Sequence, residues 1–518
     1  LVEALMLRAD LIRPIPELLR EHAVTRAGKP AFIDGRRAVS YGELAARTAR
    51  LAGHLRRLGV GRGDRVAIYM DNSVEVAESY IAAARASAVG VCINSQAAER
   101  EVAYMLADSG ARALLADPAH AERARKLTAG QSGRTPVLVT GAGPALPADD
   151  TISYEHLARS EPGLPAPDDL MLDEPAWMLY TSGTTGRPKG VLLSQRNCLW
   201  VVAACWAPIT GLSADDYMLS PLPFFHSYAL DLCVLAVLAV GATERVMTRF
   251  SVHETLALLR SEPVTFFPGV PTMFHYLLKT ASGEDLGTSR LRLCVSAGAI
   301  MPAALNEQFE QAFGVPLLDG YGITETATMV TMNWPTGTRI MGSCGLPLPG
   351  SAVRIVAPGS GADVPAGQDG ELLVQGPHVM LGYHNQPEAT AEALRGGWYH
   401  TGDLGHRDEH GYITISGRTK ELIIRGGENI YPAEVEKILL AADSVLDAAV
   451  IGKPDEALGE VPIAFVVPRE PERFDPEALL ATCRQQLAPF KVPADVLVVE
   501  EIPRTGSGKI MRYKLACP

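Results

Sequence analysis

Long apolar stretches are scarce in this chain. The longest runs from Leu232 to Ala242, about half of the roughly 20 residues a bilayer-spanning helix needs. No membrane span is therefore expected. The N-terminus lacks the charged-then-apolar pattern of a secretory signal. The eight cysteines, at 92, 198, 205, 233, 294, 344, 483 and 517, show no C-x-x-C pairing. Several lie within apolar runs, as buried thiols do in a reducing cytosol, so a cytoplasmic location is expected. Positive charge is outnumbered, with a net charge of −12, which disfavours nonspecific nucleic-acid binding. No internal repeat is evident. What remains is an ordinary globular composition, 47% apolar and 20% charged, over 518 residues. That length exceeds a single core and predicts several domains.

The densest chemical signal is Tyr180-Thr-Ser-Gly-Thr-Thr-Gly-Arg-Pro-Lys-Gly190. Thr181, Ser182, Gly183, Thr184, Thr185 and Gly186 offer hydroxyls and close backbone amides, a concavity suited to an anion. Arg187 and Lys189 add positive charge. A surface turn would not need that combination. Trp177 to Tyr180 reads as a buried strand, and Ser194 caps a following helix through Cys198. Strand, phosphate loop and helix are the parts of a nucleoside triphosphate site. The loop is not a Walker A motif, which needs G-x-x-x-x-G-K followed by Ser or Thr. Thr505-Gly-Ser-Gly-Lys509 fails that pattern too, with Pro503 in place of the first Gly and Ile510 after the Lys.

Along the chain, residues 1–170 and 171–320 alternate helical and short apolar segments. This βα alternation predicts a largely parallel sheet under helices. Arg65–Met70, Val89–Asn94, Met218–His226, Val264–Pro271 and Leu291–Gly298 read as strands, Val74–Ala84 as a helix. Open α/β sheets bind ligands at strand C-terminal ends, so Gly298 is expected at both the nucleotide and the acyl group. Residues 321–418 switch to short alternating strands, a small β-barrel or sheet. Residues 419–518 read as a separate α+β domain. The fold class expected is α/β with an appended β-rich unit and a smaller C-terminal domain.

The loop at Tyr180–Gly190 resembles the phosphate loop of the adenylate-forming superfamily of acyl-CoA synthetases, luciferases and peptide-synthetase adenylation domains. Further motifs extend the resemblance over nearly the whole chain. Such enzymes join a carboxylate to ATP, release pyrophosphate, then pass the acyl group to a phosphopantetheine thiol. In Asp319-Gly-Tyr-Gly-Ile-Thr-Glu325, Tyr321 can stack on adenine, Thr324 can bond the α-phosphate, and Glu325 can hold Mg²⁺. A turn capped by Thr324 is the plainer reading, and the family motif matches residue by residue. Asp403, in Tyr399-His-Thr-Gly-Asp403, and Arg418, in Ser416-Gly-Arg418, suit ribose hydroxyls and phosphate oxygens. The resemblance assigns both to ribose, and implies that His226 lies near the substrate carboxylate.

The resemblance further makes Lys509 the adenylation lysine, bridging the attacking carboxylate and the α-phosphate. It makes Lys420 the hinge before the mobile C-terminal domain. Gly426 and Gly427, in Arg425-Gly-Gly-Glu-Asn-Ile-Tyr-Pro-Ala-Glu434, then line the channel for the thiol. Rotation about one hinge would present Lys509 first and the Gly427 loop second.

Asp231 bears on the acid. One reading makes it the N-cap of the helix that follows. The other aims it into the acyl pocket, where an unpaired carboxylate is costly and a substrate ammonium would neutralise it. With Asn197 to Ile209, this placement resembles stand-alone aminoacyl adenylation enzymes of actinobacterial macrolactam polyketide pathways, which load an acyl carrier protein. The alternative is a fatty- or aryl-acid ligase using CoA, with Tyr228, Met273 and Met301 lining an apolar pocket.

Overall fold

The computed structural model describes residues 7–129, 135–141, 151–181, 188–281, 290–426, 428–504 and 510–515. Two large sheets carry the N-terminal part. In the first, five strands run parallel in the order Val89–Cys92, Arg65–Tyr69, Ala113–Ala116, Val137–Val139, Thr151–Ser153. Pro175–Thr181 joins beside Val89–Cys92 in parallel, and Lys189–Ser194 returns antiparallel to it. Gly382–Tyr383 closes that edge. These strands are nearly continuous apolar runs, as expected where helices cover both faces.

The second sheet has a parallel centre of Leu317–Tyr321, Leu293–Ser296, Phe266–Gly269, Tyr217–Ser220 and Thr243–Val246. Pro30–Ile33 adds in parallel to Thr243–Val246, and Ala38–Ser40 turns back on it. The two sheets therefore do not follow a boundary near residue 170. The chain starts in the second sheet, builds the first, and returns. Tyr41–Arg57 forms a helix because Ser40 and Glu43 make a reciprocal capping box, with Leu44, Leu51 and Leu55 on its buried face. Its Tyr41 hydroxyl donates to Val237 and Ala242 oxygens at 3.0 and 2.7 Å, tying it to the second sheet's helical layer.

Residues expected to form a small barrel or sheet make a four-stranded antiparallel sheet: Ala352–Val356, Gly370–Gln375, Tyr399–Arg407, Ile413–Arg418. The C-terminal unit packs helices Pro432–Leu440 and Pro476–Gln486 on a sheet of Ile423–Arg425, Glu428–Ile430, Val445–Asp455, Gly459–Pro468 and Asp495–Val498. The seven described cysteines are all free and buried. Among the described residues, no helix is long and apolar enough to cross a membrane.

One strand departs from its sequence reading. The segment Met218–His226 is extended only as far as Ser220. Pro221 and Pro223 remove ladder donors, so the chain leaves the sheet six residues before His226.

Glu244 is anomalous in the second sheet, level with Met218 and Phe32 on its neighbours. It is 0% exposed, and neither carboxylate oxygen has a hydrogen-bond partner among the described residues. Burial pushes its carboxyl well above the ordinary value of 4.5. The folded chain therefore keeps a proton that the unfolded chain releases once pH passes that value. Stability falls as pH rises from there toward the folded pKa. Glu244→Met should accordingly raise the denaturation midpoint at pH 8 and give little gain near pH 4. A gain of equal size at both pH values would assign the effect to packing instead of the proton.

Candidate active site

Thr181 and Lys189 face each other across an antiparallel pair, Pro175–Thr181 with Lys189–Ser194. The phosphate loop thus closes a hairpin, and a second strand intervenes before the helix that was expected to follow directly. Residues Ser182, Gly183, Thr184, Thr185 and Gly186 lie outside the described residues. Ser194 does cap the next helix, Gln195–Val201, in a reciprocal box with Asn197. A Cβ at Gly190 would sit 2.8 Å from Met178 Sδ, so a larger residue there would displace that side chain.

Tyr321, Asp403 and Arg418 meet at the edge of the second sheet. The Tyr321 hydroxyl donates to Asp403 Oδ2 at 2.6 Å. Arg418 Nε lies 3.0 Å from Asp403 Oδ1. Antiparallel register sets Asp403 directly opposite Arg418. Asp403 is 4% exposed, and its charge helps hold the Arg418 guanidinium protonated and the Tyr321 phenol neutral. A carboxylate held so firmly is preorganised to accept hydroxyls. Asp403→Ala is expected to weaken ATP binding by about 1.5–3 kcal/mol, the worth of charge-assisted hydrogen bonds. Titration calorimetry would read this, and an unchanged Kd would remove Asp403 from the nucleotide site.

Thr324, Glu325 and Thr326 form a 3-10 turn directly after Tyr321 and Gly322. Gly322 admits no side chain, because a Cβ would overlap the Thr328 carbonyl. Ala327 and Thr328 leave the turn at φ of 49° and 99°, a left-handed stretch that costs non-glycine residues energy and recurs at functional sites. The Ser227 hydroxyl donates to Thr324 Oγ1 at 3.4 Å, which brings the His226 segment against this turn. The Tyr383 hydroxyl donates to Glu325 Oε1 at 3.1 Å. The same Tyr383 ring lies under the Lys189 ammonium, 4.7 Å from its centroid. Carboxylate oxygens at Glu325 are hard donors of the kind Mg²⁺ takes, so the residues present fit that ion.

On the acyl side the structure corrects one reading of Asp231. The helix begins at Ser227, and its cap is His226, whose Nδ1 accepts from Tyr228 N at 3.3 Å. Asp231 lies inside the helical run, in the π-helical turns Leu230–Ala236, and caps nothing. It is 1% exposed. Trp206 donates its indole N–H to Asp231 Oδ1 at 2.5 Å. Oδ2 has no hydrogen-bond partner of normal geometry among the described residues, and the Cys198 thiol is a weak polar neighbour of the carboxyl. Burial pushes the Asp231 carboxyl well above the carboxylate range. The Tyr228 ring stacks on Trp206 at 6.1 Å, and its hydroxyl donates to the Val295 carbonyl at 3.1 Å.

Met273 packs against the same large core as Tyr228, whereas Met301 is buried in a second cluster with Phe274 and Phe309. Gly298 turns the chain after Leu293–Ser296 at φ 87°. Sequence reasoning missed Trp206 and Tyr383. Trp206 lay within a segment noted for its resemblance, while Gly382-Tyr383 carried no chemical signal by itself.

In the C-terminal unit, Lys420 lies on an exposed turn, Thr419–Glu421. Gly426 adopts φ 59° between Ile423–Arg425 and Glu428–Ile430, the left-handed corner a two-residue hairpin needs. Gly427 and Lys509 lie outside the described residues. The loop that carries Lys509 is closed by a bridge between Arg504 and Ile510. Arg504 is held to Asp447 at 2.8 Å, and Arg512 to Glu436 at 2.8 Å and Glu421 at 2.9 Å.

The AMP-binding enzyme family profile matches residues 19–384, and its C-terminal domain profile matches residues 434–509. The chain is 40% identical over 479 residues to a feruloyl-CoA synthase of Amycolatopsis sp, covering 92% of this chain and 93% of that protein. It is 35% identical over 500 residues to an indoleacetate–CoA ligase of Aromatoleum aromaticum, covering 96% of each. An ATP-bound MatB structure from Rhodopseudomonas palustris matches with a TM-score of 0.89 at 32% identity, covering 96% of this chain and 97% of that one.

Proposed function

Because the chain belongs to the AMP-binding enzyme family and is an adenylate-forming acid–thiol ligase, we propose that its acid carries an amino group paired with Asp231. One observation carries this reading. Asp231 is a fully buried carboxyl with one oxygen engaged by Trp206 and the other unpartnered among the described residues. Burying an acid without a partner is costly unless something neutralises it. Burial favours the protonated form of this carboxyl, and a substrate ammonium would instead stabilise the carboxylate.

The reaction then runs in two steps. A carboxylate oxygen of the acid attacks the α-phosphorus of ATP, and pyrophosphate leaves. A thiol sulfur next attacks the acyl carbon, and AMP leaves with the bonding pair. Lys189 and the phosphate hairpin hold the phosphates, while Tyr321, Asp403 and Arg418 hold the nucleoside. Thr324 faces the α-phosphate, and Lys509 joins it in the first step. Glu325 would hold Mg²⁺, which would supply neutralisation of the phosphate charge. The Gly426–Gly427 turn lines the approach of the phosphopantetheine arm. The acceptor in this proposal is an acyl carrier protein, in macrolactam polyketide biosynthesis.

A second reading takes an aryl acid and CoA. The Trp206 and Tyr228 rings, stacked at 6.1 Å beside Asp231, favour it, as do the substrates in the relatives' names, ferulate and indoleacetate. Pyrophosphate exchange with amino acids, β-amino acids, aryl acids and fatty acids separates the two. Preference for an amine-bearing acid, followed by transfer to a carrier protein in place of CoA, supports the first. Preference for an amine-free aryl acid with CoA replaces it with the second.

A further inference from the structure

Tyr383 lies 58 residues from Glu325 in sequence and touches both charged ends of the nucleotide site. We infer that Tyr383 is a positioning residue that holds Lys189 and Glu325 ready for the metal–nucleotide complex. This inference rests on the metal role of Glu325 and is independent of which acid is used.

The ring is placed by backbone pairing. Tyr383 is level with Val191, and Gly382 with Leu192, across an antiparallel pair. Leu381 N donates to the Leu192 carbonyl at 3.0 Å, and His384 N to the Gly190 carbonyl at 2.7 Å. Tyr383 N is taken by Thr390 Oγ1 at 2.9 Å. The strand that delivers Lys189 from the phosphate hairpin is therefore the strand that fixes Tyr383. Glu325 is held by the same segment at two points. Met380 N donates to its carbonyl oxygen at 2.8 Å, and the Tyr383 hydroxyl donates to its carboxylate.

The chemistry of the arrangement follows. Opposite charges left side by side in a shielded site would pair with each other, and that pair would have to break before phosphate and metal could bind. Here the ammonium rests on a ring face, an attraction weaker than an ion pair. The carboxylate accepts from the neutral Tyr383 O–H. Each is oriented, and each exchanges its resting partner for a stronger one when the nucleotide and its metal arrive.

Calorimetric titration of ATP into the full chain, with EDTA and then over a Mg²⁺ series, tests this with Tyr383→Phe and Glu325→Gln. Phenylalanine keeps the ring over Lys189 and the strand pairing, so the fold is retained. Tyr383→Phe should bind metal-free ATP as the wild type does. It should need about tenfold more Mg²⁺ for the same gain in ATP affinity, the order expected from one hydrogen bond to a charged group. Glu325→Gln should shift the same curve at least as far. If Glu325→Gln moves the Mg²⁺ curve and Tyr383→Phe does not, the role of Tyr383 is refuted. If Tyr383→Phe weakens metal-free ATP binding by as much as it weakens the metal-bound form, the ring is merely structural and the inference also fails. If Glu325→Gln itself leaves the curve unmoved, the metal reading falls, and the inference falls with it.

Discussion

Lys509→Ala should lower the rate of acyl-adenylate formation by about 10²–10³, the usual effect of deleting one preorganised donor to developing charge. Two anions must meet in that step, the substrate carboxylate and the α-phosphate. A single ammonium between them lowers the repulsion where it is greatest, in the transition state. An antiparallel bridge joins Arg504 to Ile510, on either side of the segment 505–509 that carries Lys509. Arg504 and Arg512 anchor its two flanks to Asp447 and Glu436. Truncating Lys509 leaves those anchors intact, so the domain should stay folded. Transfer from supplied acyl-AMP to a thiol should remain close to wild type, because the phosphoryl step is already complete. Pyrophosphate exchange and single-turnover thioester formation measure the two steps separately. Equal losses in both would mean that Lys509 serves the fold or both conformations.

Asp231→Asn should cost about 2–5 kcal/mol in kcat/KM for an amine-bearing acid, the penalty for breaking a buried charge pair. The des-amino analogue should be a poorer substrate for the wild type, because it forgoes the ammonium–carboxylate pair that the amine-bearing acid gains. The variant should improve relative to the wild type on that analogue, so the ratio of the two kcat/KM values should collapse. Asparagine keeps an oxygen for the Trp206 indole N–H, and Asp231 caps no helix. A change in activity therefore cannot be blamed on a lost cap. Full activity of Asp231→Asn on an amino acid would exclude the amine pairing. It would leave Asp231 as a buried neutral acid whose partner is Trp206.

The local features were legible because their physics is local. A capping box spans four residues, so Ser194 and the helix after it could be read from order alone. So could the hydroxyls and glycines between Thr181 and Gly186, and the Tyr321–Glu325 motif. The left-handed corner at Gly426 was not read from the sequence, where the glycine pair stood only for the thiol channel. Apolar runs between helical stretches predicted the parallel sheets, because a strand buried on both faces admits little else. The one overlong strand, drawn to His226, failed because two prolines outweighed an apolar pattern.

Which distant residues share a pocket was decided only by the tertiary structure. Asp231 meets Trp206 across 25 residues, Glu325 meets Tyr383 across 58, and Tyr321 meets Asp403 across 82. No periodicity of three or four residues, or of two, encodes such distances; they follow from strand order and register. The sequence by itself determined the class of chemistry, since the motifs that carry it are contiguous. The fold decided that Asp231 is buried beside an indole instead of capping a helix. It also decided that a two-residue strand with no chemical signature holds one ring between Lys189 and Glu325.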